Sequence, residues 1–114
     1  MAKVGRFVTD PKVGAYCQIT LDSGEKILVN HEGSGFTDGR VTIDVLKFLG
    51  FGSDRVFTCD LSSPEGRAAL TRLTRDARPG SVETTALGAF VAHVKSCKSV
   101  AEVKTSYAAL MSIR

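Results

Sequence analysis

The sequence predicts an α+β fold: an antiparallel meander of about five strands, followed by about three C-terminal helices packed on it. Three observations predict it. Residues 15–31 alternate apolar and polar side chains across a turn, as a half-buried hairpin does. Ser63-Pro64-Glu65 and Ser99-Val100-Ala101-Glu102 carry the residue types that start helices. The apolar residues after each start recur at three- and four-residue steps.

The strands follow in order. Lys3–Thr9 reads as the first, closed by Asp10-Pro11. Ala15, Cys17, Ile19 and Leu21 share one face of the next, with Tyr16, Gln18 and Thr20 on the other. Asp22-Ser23-Gly24 supplies a three-residue turn, and residues 25–31 return. If Leu21 opposes Glu25, then Ile19 faces Ile27, Cys17 faces Val29 and Ala15 faces His31. The apolar rows of both strands then coincide, as one buried face requires. Arg40–Val45 and Arg55–Leu61 alternate in the same way. Residues 42–49 admit two readings. The β-branched Val-Thr-Ile start favours strand; a short helix from Thr42 to a stop at Gly50 is the alternative. Short connections favour antiparallel neighbours. A small curled sheet or barrel is one form the meander can take.

In the helical third, Ala69, Leu70, Leu73 and Ala77 make a stripe that Arg78-Pro79-Gly80 ends. A second helix begins between Ser81 and Thr85 and carries Leu87, Phe90, Val91, Val94 and Cys97. The third follows Ser99, with Val100, Val103, Tyr107, Leu110 and Met111 on its stripe. Almost nothing joins these two, so they are expected to form an αα-hairpin. No repeat or flexible linker intervenes. Residues 1–114 read as a single domain, with 1–62 mainly β hairpins and 63–114 mainly helical.

Composition narrows the function classes. The chain has 114 residues, 43% of them apolar and 24% charged, enough apolar surface to support a core. No apolar run reaches membrane-span length, and residues 1–10 lack a signal-peptide pattern. Cys17, Cys59 and Cys97 are widely spaced and form no CxxC pair. Reduced thiols in a cytoplasmic protein fit them, with no cofactor and no metal expected. Residues 1–66 hold seven Lys/Arg and nine Asp/Glu, net −2; residues 67–114 hold eight and three, net +5. The helical third is the basic part.

Candidate site residues are few. Cys17 and His31 fall diagonally on one hairpin face, the minimal set for an imidazole-activated thiol. The glycine-rich 33–39 leads into a strand rather than a helix, so it reads as a hairpin loop and not as a phosphate cradle. Phe36 and Phe51 lie on loops and are candidates for docking a partner. Arg67, Arg72, Arg75 and Arg78 lie on or just after the first helix; at 100° per residue Arg67, Arg75 and Arg78 fall within a broad sector, with Arg72 off to one side, and arginines can neutralise phosphates. His93 sits beside the apolar stripe of its helix. Asp44 and Asp60 form a carboxylate pair only if the strands bring them together. The leading expectation is a non-catalytic binding or interaction module, with a protein partner or a second copy of the chain. A nucleic-acid-binding protein using the basic third is the alternative. A small enzyme built on Cys17 and His31 stands last.

Overall fold

A computed structural model describes residues 2–12, 14–33, 35, 37–47 and 52–112. Six strands come first: β1 (Lys3–Val4), β2 (Val8–Asp10), β3 (Gly14–Thr20), β4 (Lys26–Glu32), β5 (Arg40–Leu46) and β6 (Ser53–Asp60). Helices α1 (Pro64–Thr74), α2 (Ala86–Lys95) and α3 (Val100–Ser112) follow, with a 3-10 turn at Val82–Thr84 before α2. The strands form one antiparallel sheet in the order β1-β3-β4-β5-β6, with β2 also paired to β3. The sheet is an open meander and does not close into a barrel.

The β3–β4 register is the one the alternation dictates. Ala15 opposes His31, Cys17 opposes Val29 and Ile19 opposes Ile27. Leu21 N–H donates to Glu25 O at 2.8 Å and closes the three-residue loop. Cys17, Ile19, Ile27, Val29, Val41, Ile43 and Cys59 are all fully buried on one face. Residues 42–46 are strand, so the helical alternative for that stretch fails; residues 48–51 lie outside the described part.

Two bulges depart from simple alternation. Val4 opposes Ile19 while Val8 opposes Tyr16, so the first strand carries one extra residue and splits into β1 and β2. On β6, Phe57 opposes Ile43 but Arg55 opposes Asp44, which leaves Val56 as the extra residue. That bulge moves Arg55 onto the polar face, where it ion-pairs with Asp44.

Both α1 and α2 start on the same device. Ser63 Oγ accepts from Gly66 N–H (3.0 Å), and Thr85 Oγ1 accepts from Gly88 N–H (3.1 Å). A Cβ on either glycine would stand 1.9 Å from an incoming carbonyl, that of Asp60 or of Val82. The missing side chain lets the preceding segment fold directly onto the helix start. α1 ends at Thr74, sooner than Pro79 alone dictates, and Ala77 and Arg78 lie beyond it. Ser99 Oγ caps α3 by accepting from Glu102 N–H (3.3 Å), but the Glu102 carboxylate reaches back to Lys98 N–H rather than to the cap residue itself.

Helix α2 packs over β3, β4 and β5, while α1 and α3 pack on β6. Phe57, Phe90 and Tyr107 stack where β6, α2 and α3 meet, with centroids 4.5 Å apart for Phe57–Tyr107 and 5.6 Å for Phe90–Tyr107. The β3–β4 loop docks on the start of α3. Val100 N–H donates to Glu25 Oε1 (3.0 Å), and Ser23 N–H donates to Lys98 O (3.0 Å).

Candidate functional site

The hairpin places Cys17 and His31 on one face, diagonal to each other, but gives them no shared chemistry. Cys17 is wholly buried and its thiol approaches Gly5 O at 3.4 Å. Burial pushes that thiol up, against the smaller effect of the Gly5 contact, so the thiolate is disfavoured. His31 Nε2 stands 2.6 Å from Asp38 O. A carbonyl only accepts, so Nε2 carries the proton and ties the ring to the 33–39 loop. A hollow of about 510 Å³ borders His31 between residues 9–12, 14 and 15 on one side and 31–33 and 35 on the other, and Cys17 is not among the described residues that line it.

The remaining expectations divide. Phe36 and Phe51 lie outside the described residues. Asp44 and Asp60 sit near opposite ends of the β5–β6 ladder, facing Arg55 and Arg40 respectively, and form no acid pair. Arg67, Arg75 and Arg78 are exposed. Only the first lies inside α1, Arg75 is its C-terminal cap residue, and Arg78 is beyond the helix, so a shared helical sector no longer describes all three. Arg67 Nε donates to Leu61 O (3.4 Å). Arg72 Nη1 donates to Leu110 O in the last turns of α3 (2.9 Å). A cation at a helix C-terminus satisfies carbonyls and complements the dipole, so part of the basic charge is structural.

Charge pairing differs between the two halves. Glu32–Arg40 (3.1 Å), Lys47–Asp54 (3.6 Å) and Asp44–Arg55 are ion pairs, and all three lie on the sheet. Among the described residues, Arg67, Arg75, Arg78, Lys95 and Lys98 make none.

Two places that alternation and motif spacing did not single out hold accessible groups. The first is a groove of about 460 Å³ at the end of α2 and the start of α3, lined by Ser96, Cys97, Ala101, Glu102, Thr105 and Ser106. Ser106 Oγ, in its wall, lies 2.5 Å from Nε2 of His93, which stands behind the lining residues. Burial lowers the His93 value below the ordinary 6.5 and raises that of the Cys97 thiol. The sequence held a hint of this pairing, because His93 and Ser106 each flank an apolar stripe and the two helices were expected to pair.

The second is the N-terminal sheet edge. Val4 opposes Ile19, so it belongs to the helix-covered face; Phe7 lies in the bulge between β1 and β2. Helix α2 packs mainly over β3, β4 and β5. Val4 and Phe7 remain 42% and 43% exposed. Comparison with known protein families, with curated proteins and with solved structures finds no match.

Proposed function

We propose that this protein is a binding or interaction module, and that it docks a second copy of itself by the N-terminal edge of its sheet. The observation that carries the reading is the Val4–Phe7 pair. Two large apolar side chains stand exposed close together in sequence at this edge, Val4 on β1 opposite the core residue Ile19 and Phe7 in the bulge before β2. Covering Val4 extends an existing hydrophobic core rather than starting a new one. The bulge between β1 and β2 interrupts the outer hydrogen-bonding edge, and Lys3, Arg6 and Lys12 line it. Simple strand addition is therefore disfavoured, and side-chain burial is the mode of contact.

Light scattering over a concentration series tests this. The expected result is a dimer that dissociates on dilution and is abolished in the Val4→Ser/Phe7→Ser double variant, with unchanged circular dichroism. A monomer at every concentration, or association untouched by the substitutions, defeats the reading.

A second reading rests on the charge distribution. The unpaired cations of the helical third support an anionic partner, nucleic acid being the polyanion with the right charge density. A mobility shift at low salt, lost on reversing Arg67, Arg75 and Arg78 to Glu, is its expected signature. No retardation at low salt ends it.

A further inference from the structure

The hydroxyls of the helices behave in two ways. Thr71, Thr74 and Thr105 each donate to the carbonyl four residues back, on Arg67, Leu70 and Ala101, at 2.9, 2.9 and 3.1 Å. That is the common arrangement for a helical hydroxyl. Ser106, the next residue after Thr105, is instead held 2.5 Å from His93 Nε2 on the facing helix. It also lines the open groove between α2 and α3.

The imidazole is fixed from the other side. Its ring packs on Tyr107, with centroids 4.8 Å apart. Tyr107 is itself locked by stacking on Phe57 and Phe90 and by its hydroxyl donating to Phe90 O (3.3 Å). Burial lowers the His93 value and so favours the neutral ring, whose Nδ1–H tautomer presents the Nε2 lone pair to the Ser106 hydroxyl. The groove, at about 460 Å³, falls within the range of small-molecule sites.

We propose that Ser106 is a nucleophile, activated by His93, that takes an acyl group from small esters in the α2–α3 groove. Ser106 Oγ bonds to the ester carbonyl carbon as its proton passes to His93 Nε2. The bond from that carbon to the alcohol oxygen breaks, and His93 gives the proton to the leaving alkoxide. Water then attacks the acyl-serine, loses its proton to His93, and the carboxylic acid departs as Ser106 Oγ regains that proton. This activity goes beyond docking at the sheet edge and uses neither Val4 nor Phe7.

A fluorophosphonate probe on the full chain, read by intact mass and peptide mapping, tests the proposal. One adduct is expected, on Ser106, with the fluorine leaving as fluoride. Ser106→Ala removes it; alanine is a strong helix former, so the variant keeps its fold. His93→Gln, checked for folding by circular dichroism, slows labelling at least about a hundredfold, the typical share of a general base. Thr71→Ala, on the distant α1, labels at the wild-type rate. The labelling rate falls as pH drops through the His93 value. No adduct, an adduct on Ser96 or Thr105, or wild-type labelling in His93→Gln overturns the proposal, and none of these outcomes bears on self-association.

Discussion

In the sheet, alternate residues divide the work: odd-numbered side chains of β3, β4 and β5 fill the core, and the charges on the opposite face pair across strands. In the helical third the core-facing stripe is as well buried, but among the described residues Arg67, Arg75, Arg78, Lys95 and Lys98 make no ion pair. Arg67 and Arg72 donate to backbone carbonyls, those of Leu61 and Leu110. The difference lies in geometry. Antiparallel strands bring residues distant in sequence into register, so a Glu32 meets an Arg40 by construction. A helix pairs only its own neighbours three and four apart, and α1 has no acid at those spacings from Arg67. Among the described residues, the ion-paired charge sits on or beside the sheet and the cations without an ion pair sit on and between the helices.

Core truncation should strike both regions hardest and tests whether they are one cooperative unit. Phe90→Ala in α2 is expected to cost about 3–5 kcal/mol and Ile43→Ala in β5 about 2–5 kcal/mol. Both should unfold in urea as a single transition with coincident fluorescence and circular dichroism. A helical signal lost ahead of the sheet signal in Phe90→Ala would split the molecule in two.

Gly66→Ala comes next, at about 1–3 kcal/mol, because its Cβ would meet Asp60 O at 1.9 Å and drive β6 from α1. Thermal melts should place it well below Thr71→Ala on the same helix.

Glu25→Ala releases Val100 N–H and unclasps the hairpin from α3, with an expected loss of about 1 kcal/mol, typical of a helix cap. The Val100 N–H and the Ser23 hydroxyl hold this carboxyl below its ordinary 4.5. Its contribution is present above pH 4.5 and is lost as pH falls through the lower, folded value. His93 acts in a separate window. Its folded value lies below 6.5, so above pH 6.5 both folded and unfolded chains carry a neutral ring and stability is unaffected. As pH falls below 6.5 the unfolded state binds the proton first and stability declines, levelling off below the folded value. Urea midpoints from pH 8 to 5 should show that decline in the wild type and not in His93→Gln.

Arg75→Ala should be the smallest, within about 0.5 kcal/mol, since the side chain is exposed and makes no ion pair among the described residues. Arg72→Ala should exceed it, at about 1 kcal/mol, through the lost bond to Leu110 O. Equal effects would remove the distinction between structural and free arginines.

How deeply the thiols are buried was not legible in the sequence. Burial raises Cys17 and lifts Cys59 to about 11. A cysteine in an alternating strand says which face it is on, not how completely helices will cover that face. The shared face of Cys17 and His31 was therefore legible, while the depth of burial of Cys17 was not.

What the sequence determined by itself is the strand and helix order, the β3–β4 register and the starts of α1 and α3. Each of these is set locally, by a two- or three-to-four-residue period or by a capping side chain bonded within its own turn. What only the tertiary structure decided is where the two bulges fall, how far α2 extends over the sheet, and that Ser106 meets His93. Those depend on how whole elements pack against each other, and no local period encodes how far one packed layer extends across another.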